Sequence, residues 1–369
     1  MKNKAFFQEV QEIAEQRELK PEEIYDIMAK AFEKAYEKKF GNSSCKVVIN
    51  PEKSEINLFS VYKVVEEKTE APAEEVTEDE EEEYIEEILL DDARKIKGKS
   101  ACKVGQIIEV PVSIADLGRS SATAAKSIYT QSIKTLEREK AYEYFKNQEG
   151  EMIKAEVIDI NENFIILSIG RNITTALPKK DLLLNDDPKV GDYLRVFIKK
   201  VEQTTRDPKV FVTRNDRNLI NRLLETYIPE IASGVIEVKG IARDAGDRTK
   251  IAVFSNDPNV DAIGSCVGEG GSRIREIVDA LNGEKIDLYE WSENVEDLIA
   301  NSLQPATVRK VLSVDPKTKT SVVIVPDDQL SLAIGKSGQN VRLAVQSCGW
   351  KIDIKSLKDA FDEGLIELM

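Results

Sequence analysis

Asp327-Asp328-Gln329-Leu330-Ser331-Leu332-Ala333-Ile334-Gly335-Lys336-Ser337-Gly338-Gln339-Asn340-Val341 decides the fold, because an earlier stretch repeats it: Asp261-Ala262-Ile263-Gly264-Ser265-Cys266-Val267-Gly268-Glu269-Gly270-Gly271-Ser272-Arg273-Ile274. Each copy holds a G-x-x-G element, beginning at Gly268 and at Gly335, 67 residues apart. Downstream, Lys285-Ile286-Asp287 returns as Lys351-Ile352-Asp353 at a spacing of 66, one residue shorter. Each copy follows a helix-like stretch (216–228 and 294–303) and two strand-like runs (233–242 and 248–255; 306–314 and 320–325). The order α-β-β-α-GxxG-α-β therefore occurs twice. A lone GxxG reads as a tight helix–turn–helix with a glycine C-cap. Two copies in the same full context point to a reused binding device.

The apolar spacing says where the loop goes. Ile274, Ile277, Val278 and Leu281 after the first loop, and Val341, Ala344, Val345 and Cys348 after the second, bury one face of each helix. The loop is then forced to the surface, with the start of the next helix pointing outward. Glycines let a sugar–phosphate backbone approach with no Cβ in the way, and a helix N-terminus adds partial positive charge. KH domains clamp about four nucleotides of single-stranded nucleic acid in this way. The candidate RNA-binding residues are Gly268, Gly270, Gly271, Ser272 and Arg273 in the first copy. In the second they are Gly335, Lys336, Ser337, Gly338, Gln339, Asn340 and Arg342.

Charge separates the copies. Lys336 and Arg342 flank the second loop, whereas Glu269 sits inside the first, with Arg273 and Arg275 following it. A carboxylate about 6 Å from a phosphate costs ~2–3 kcal/mol at an effective dielectric near 20, and less with salt. The first loop is expected to grip more weakly, or Glu269 to point away. Gly335-Lys336-Ser337 is not a nucleotide-hydrolysing P-loop, because position 330, where that motif needs glycine, is Leu; Gly98-Lys99-Ser100 fails likewise, with Ala at position 93.

Ahead of the repeat, five short β-like runs (150–160, 163–170, 174–177, 192–202 and 209–213) suggest a small closed barrel of OB type. Its aromatics Phe164, Tyr193, Phe197 and Phe211 could stack bases, though alternation assigns at least half of them to the core. Lys154, Lys199 and Lys200 could line a backbone groove or simply solvate the barrel. Further back, residues 5–17 and a stretch opening at Pro21 read as helices, and 45–50 with 55–65 as a hairpin. Residues 106–114 read as a strand and 119–147, free of Pro and Gly, as one long helix. Between them lies an acidic segment, 66–92, with fifteen acids and one base, Lys68. Its first part is expected to be disordered or extended, and Tyr84, Ile85, Ile88 and Leu89 to form a short helix. Six consecutive carboxylates at 78–83 read as a solvated tract or spacer ahead of a metal cluster.

Composition narrows the function classes. The chain has 369 residues and a formal charge of −15, nearly all of it in the acidic segment, so the remainder is close to neutral and nucleic acid stays open as a partner. Histidine is absent, which removes histidine bases, histidine-built triads and histidine-ligated metals. Cys45, Cys102, Cys266 and Cys348 form no CxxC pair, and Cys266 and Cys348 read as small buried hydrophobes of a reducing compartment. No secretory signal and no membrane-length apolar run is expected.

The segments Ser121–Lys126 (SATAAK), Val210–Arg214 (VFVTR), Val235–Lys239 (VIEVK), Ala242–Val253 (ARDAGDRTKIAV), Gly283–Asp287 (GEKID) and Ala333–Ala344 (AIGKSGQNVRLA), in that order, resemble the bacterial NusA family of transcription elongation and termination factors. The resemblance covers almost the whole chain. It implies an α+β multidomain protein. An N-terminal α/β polymerase-binding domain with acidic insertion and long connector helix would span 1–145, and an OB-fold barrel of the S-one type 146–214. Two type II KH domains (α-β-β-α-α-β) would span 215–292 and 293–369, the second with a short tail. It further implies a cytoplasmic monomer that binds the RNA polymerase β-subunit flap near the RNA exit channel, nascent single-stranded RNA and other Nus-type factors. Such a protein modulates pausing, termination and antitermination with no membrane, metal, cofactor or catalytic residue. Exposed lysines of the second helix, Lys30, Lys34 and Lys38, are candidate polymerase contacts or an ordinary solvated face. An RNA-binding adaptor of RNA processing or of the ribosome is the competing expectation; a processing enzyme would need a catalytic constellation that 1–145 does not offer.

Overall fold

The computed structural model describes residues 4–41, 44–67, 85–98 and 102–365. The chain divides between Ala141 and Tyr142.

The first unit opens with α1 (Lys4–Arg17) and α2 (Pro21–Phe40). Pro21 starts α2 and Gly41, left-handed at φ 76, ends it, as the punctuation predicts. β1 (Cys45–Asn50) and β2 (Glu55–Val65) form the expected antiparallel hairpin. β3 (Glu86–Leu89) then pairs parallel with β2, α3 (Leu90–Lys97) follows, and β4 (Ile107–Val112) pairs antiparallel along the other edge of β2. The helix expected at 84–89 is thus corrected to a strand over 86–89, with helix only from Leu90; position 84 lies outside the described residues. β1 covers β2 only as far as Ser60, so Tyr62–Val65 offers a free edge that this segment fills. The expected disorder of the acidic tract likewise falls outside the described residues. α4 runs as one helix over Gly118–Lys146. Phe7, Val10, Ile24, Met28 and Ile133 pack one core cluster of this unit.

In the second unit, β5 (Met152–Ile160), β6 (Phe164–Ser168), β7 (Thr174–Pro178), β8 (Tyr193–Glu202) and β9 (Lys209–Thr213) form a sheet in the order β7-β6-β5-β8-β9. The Thr175 hydroxyl on β7 donates to the Val210 carbonyl on β9, bringing the two edge strands together. Leu167, Leu177, Val196 and Val212 are among the buried residues of these strands. α5 (Arg217–Tyr227) and α6 (Pro229–Ala232) lead into β10 (Ile236–Asp244), β11 (Arg248–Ser255), α7 (Ala262–Val267), α8 (Ser272–Ala280) and β12 (Lys285–Glu290). The second copy runs α9 (Val295–Ser302), β13 (Lys310–Asp315), β14 (Thr320–Val325), α10 (Leu330–Ile334), α11 (Gln339–Cys348) and β15 (Lys351–Ser356), with α12 (Leu357–Asp362) after it. In both sheets the first two strands are antiparallel and the third is parallel to the second.

The two copies share one core. Ala252 and Tyr289 of the first lie in the same buried cluster as Val323, Ala344 and Trp350 of the second. The Tyr289 hydroxyl and Ser347 Oγ are 2.9 Å apart. Gly240 is where β10 and α11 meet most closely: a Cβ there would stand 2.1 Å from the Ser347 carbonyl oxygen.

Lys250, fully buried on β11, donates to the Gln304 carbonyl at 2.6 Å across this junction. Burial pushes its pKa down to about 8 despite the nearby Asp287. The ordinary lysine value is about 10.4, so between these two pH values the unfolded chain binds the proton and the folded chain does not. Stability therefore gains a contribution as pH rises through that window. Lys250→Met lacks this contribution. The difference in melting midpoint between wild type and variant is expected to shift steadily in favour of wild type from pH 8 to pH 10.5. A difference that stays constant over that range would refute the assignment.

Candidate nucleic-acid interface

The two loops have the same backbone. Gly268 stands at φ 73, ψ 172 and Gly335 at φ 76, ψ 170. Gly270 (φ 58, ψ 20) matches Ser337 (φ 50, ψ 33), and Gly271 (φ 78, ψ 18) matches Gly338 (φ 73, ψ 16). The first glycine of each is needed for space as well. A Cβ on Gly335 would lie 2.7 Å from the Asn340 backbone nitrogen, and one on Gly268 2.8 Å from Arg273 Cγ.

This geometry leaves backbone donors free at both loops. α5, α7, α9 and α12 are capped by the side chains of Asp216, Asp261, Asn294 and Ser356. α8 and α11 start from glycine with no side-chain cap. Among the described residues, the amide N–H groups of Glu269 and Gly270, and those of Lys336 and Ser337, find no backbone acceptor. Four unpaired donors at the positive ends of two helices suit the oxygens of a phosphate chain.

The predicted site residues divide by side chain. Glu269, Ser272, Lys336 and Ser337 are exposed. Arg273 and Asn340, equivalent by the repeat, instead bracket their loops from behind. Arg273 donates to Glu230 at 2.8 Å and to the Ser265 carbonyl at 2.6 Å. Hydrogen bonding from its own backbone amide and from Arg273 holds the Glu230 carboxyl below the usual range, against the opposing effect of burial. Asn340, only 4% exposed, donates to the Leu303 and Ala333 carbonyls, each at 3.0 Å. Both side chains tie the helix before the loop to the opening helical segment of the same copy, so they position the loop. Gln339 and Arg342 turn toward Asp244 and Asp247 of the first copy. Lys336 is exposed and, among the described residues, has no ion-pair partner.

The flanks of the loops differ. Leu332 and Ile334 on α10 are exposed apolar side chains beside the second loop; their counterparts are Ser265 and Val267, both partly buried. Sequence periodicity had no means of separating these roles, because all four positions sit on short helices of the same spacing.

On the barrel, Phe164 and Tyr193 are exposed and Phe211 is half-buried. Only Phe197 is fully buried, which corrects the expectation that at least half of these aromatics are core. Phe197 belongs to the cluster built on Leu219, Leu223 and Ile251 of the first KH-like copy, so β8 is covered on both faces there. Phe164, Phe211, Lys199, Lys200, Arg206 and Lys209 line a groove of about 840 Å³. Lys154 lies 4.3 Å over the Tyr193 ring. In the first unit, Lys30, Lys34 and Lys38 are exposed, but Lys34 pairs with Glu37 at 2.8 Å. Lys30 and Lys34 share a groove of about 610 Å³ with Glu33, Glu37 and Glu109, a mixed-charge surface. Burial pushes the Cys45 thiol up to about 12 and that of Cys266 up to about 11, and raises that of Cys348, away from the reactive thiolate.

Comparison with known proteins covers the chain piece by piece. Residues 5–139 match the NusA N-terminal domain, 150–198 the S1 domain, 214–291 the NusA-like first KH domain and 295–361 the NusA-like second KH domain. A protein of Halalkalibacterium halodurans named transcription termination/antitermination protein NusA is 37% identical over 99% of this chain and 91% of its own length. Proteins of the same name from Bacillus subtilis and Thermus thermophilus are 38% and 33% identical, over 96% and 98% of this chain and 91% and 93% of their own lengths.

Gly338 and Gly335 separate conformation from contact. Both have positive φ, but a Cβ on Gly338 meets nothing within 4 Å. Gly338→Ala should cost the left-handed penalty alone, about 1 kcal/mol. Gly335→Ala adds a collision with the backbone of α11 and should lower the melting midpoint further. Equal losses in the two variants would contradict this packing.

Proposed function

The chain belongs to the NusA family, and from that premise we propose that it is a transcription elongation factor that binds RNA polymerase and the emerging transcript and modulates pausing, termination and antitermination. The observation that carries the RNA-binding part is the pair of uncapped, identically shaped GxxG loops with their four unpaired amides. Near full-length identity to proteins named for transcription termination and antitermination supports the rest.

In this reading the chain works in the cytoplasm as a monomer and by binding alone. Residues 1–145 dock on the polymerase β-subunit flap near the RNA exit channel. The barrel (146–214) and the two KH domains (215–292 and 293–369) hold single-stranded RNA, alongside other Nus-type factors. The backbone amides of the loops take phosphate oxygens, Lys336 adds charge, and the exposed aromatics of the barrel stack bases. Each contact is weak. Anchoring on polymerase raises the effective concentration of the transcript, so weak contacts suffice. Arg273 and Asn340 act through the loops they brace.

Pause half-life at a hairpin-dependent pause site, in a reconstituted bacterial transcription reaction, tests the proposal. The chain is expected to lengthen the pause. Removal of residues 1–145 should abolish the effect, and Gly338→Asp, which adds a carboxylate to the loop where a Cβ meets nothing within 4 Å, should reduce it. An unchanged half-life with the intact chain would overturn the proposal and leave an RNA-binding adaptor.

A further inference from the structure

The internal repeat allows the two loops to be compared residue by residue. Arg275 and Arg342 hold the same place, the fourth residue of the helix leaving the loop. Their guanidinium groups go to different partners. Arg275 folds back and donates to the carbonyl of Gly270, in its own loop, at 3.0 Å. Arg342 leaves its loop and donates through both terminal nitrogens to the two carboxylate oxygens of Asp244, at 2.8 and 2.7 Å. Asp244 ends β10 of the first copy. Gln339, the first residue of α11, donates to Asp244 at 3.0 Å and to Asp247 at 2.6 Å. Carboxylates of one KH domain thus lie against the helix start that the other offers to RNA.

We propose that Asp244 is an internal anion that holds Arg342 in reserve: it fills the bidentate fork a phosphate would fill, and single-stranded RNA gains the Arg342 contact only by displacing it. This rests on the reading of the second loop as a phosphate clamp and deepens it, making Asp244 a determinant of how much charge that clamp presents.

The packing argues against a simple bracing role. α11 is held on the first domain by the shared core of Ala252, Tyr289 and Ala344 and by its close approach over Gly240. Its placement does not need a water-facing ion pair. The Arg342 side chain is 52% exposed and that of Asp244 21%. Hydrogen bonds from Arg342 and Gln339 outweigh burial and keep the Asp244 carboxyl below its usual range, so it remains an anion at neutral pH. A pair this exposed shifts an equilibrium by no more than about fivefold. The two non-bridging oxygens of a phosphodiester offer arginine an equivalent two-pronged acceptor and can take its place. Until it does, Lys336 is the charge that RNA meets at this loop.

The test is binding of a fluorescently labelled, unstructured single-stranded RNA to the full chain, measured by anisotropy over a series of KCl concentrations. Asp244→Asn keeps the shape and removes the charge. The variant is expected to bind about two- to fivefold more tightly at low salt, with the log–log salt slope steeper by about 0.7, the increment for one added phosphate contact on a single strand. Adding Arg342→Gln to Asp244→Asn should cancel both changes. Asp244→Ala should give the same two changes if the asparagine variant does not fold. Tighter binding without a steeper slope, or weaker binding by a variant that melts like wild type, would overturn the proposal. Failure of the wild-type chain to bind this RNA at all would instead overturn the functional reading beneath it.

Discussion

A buried charge has to be paired, and Arg214 is where this constraint organises the RNA-binding half of the chain. Its side chain is 1% exposed and that of its partner Asp186 0%. Arg214 Nε and Nη2 donate to the two Asp186 oxygens at 2.7 and 3.0 Å, Nη1 donates to the Arg195 carbonyl at 2.7 Å, and Nη2 also reaches the Ala280 carbonyl at 3.3 Å. Asp186 accepts in addition from the Leu183 amide and from Asn282. One guanidinium therefore joins the exit of β9, the barrel loop, β8 and the far end of α8. Loss of either partner would strand a buried charge, at a cost of about 3–5 kcal/mol. A second buried pair repeats the device: Glu284 accepts two bonds from Arg243, at 2.9 and 2.8 Å, and one from the Gly246 amide at 2.7 Å. With the far end of α8 fixed to the barrel, its near end, the first GxxG loop, is fixed as well.

The second loop is fixed by apolar packing instead. α11 lies on β10 and β11, over the one glycine that admits it, and its first turn reaches the acidic end of β10. The two loops thus share a backbone conformation and differ in charge. The first carries Glu269 and keeps its arginine close; the second carries Lys336 and surrenders its arginine to the neighbouring domain. A protein that keeps hold of RNA while the strand moves past it benefits from contacts that are individually weak and exchangeable, and paired neutralisation of this kind produces them.

Much of this was legible in the sequence. The repeat, its offset, the two helix pairs and the five barrel strands follow from periodicity and glycine placement, which are local signals. The four segments Val210–Arg214, Ala242–Val253, Gly283–Asp287 and Ala333–Ala344, which carry the resemblance, contain Arg214, Arg243, Asp244, Glu284 and Arg342, the ionic joints themselves. What stayed hidden was partnership. Nothing local says that Arg214 meets Asp186, that Arg342 belongs to Asp244, or that Asn340 turns inward while Lys336 turns out. β3 was missed for a related reason: its extended conformation is imposed by an open edge of β2, which exists only once the hairpin has formed. Which of the barrel aromatics is buried stayed hidden too, because the cover of Phe197 comes from another domain.

The central claim is that the RNA backbone lies against the unpaired amides of both loops. Hydrogen exchange of the full chain, read at residues 268–272 and 335–339 with and without single-stranded RNA, measures this directly. The account predicts slower exchange at Glu269, Gly270, Lys336 and Ser337, larger at the second loop than at the first. Binding that slows exchange in the barrel while both loops exchange as in the free protein would contradict it.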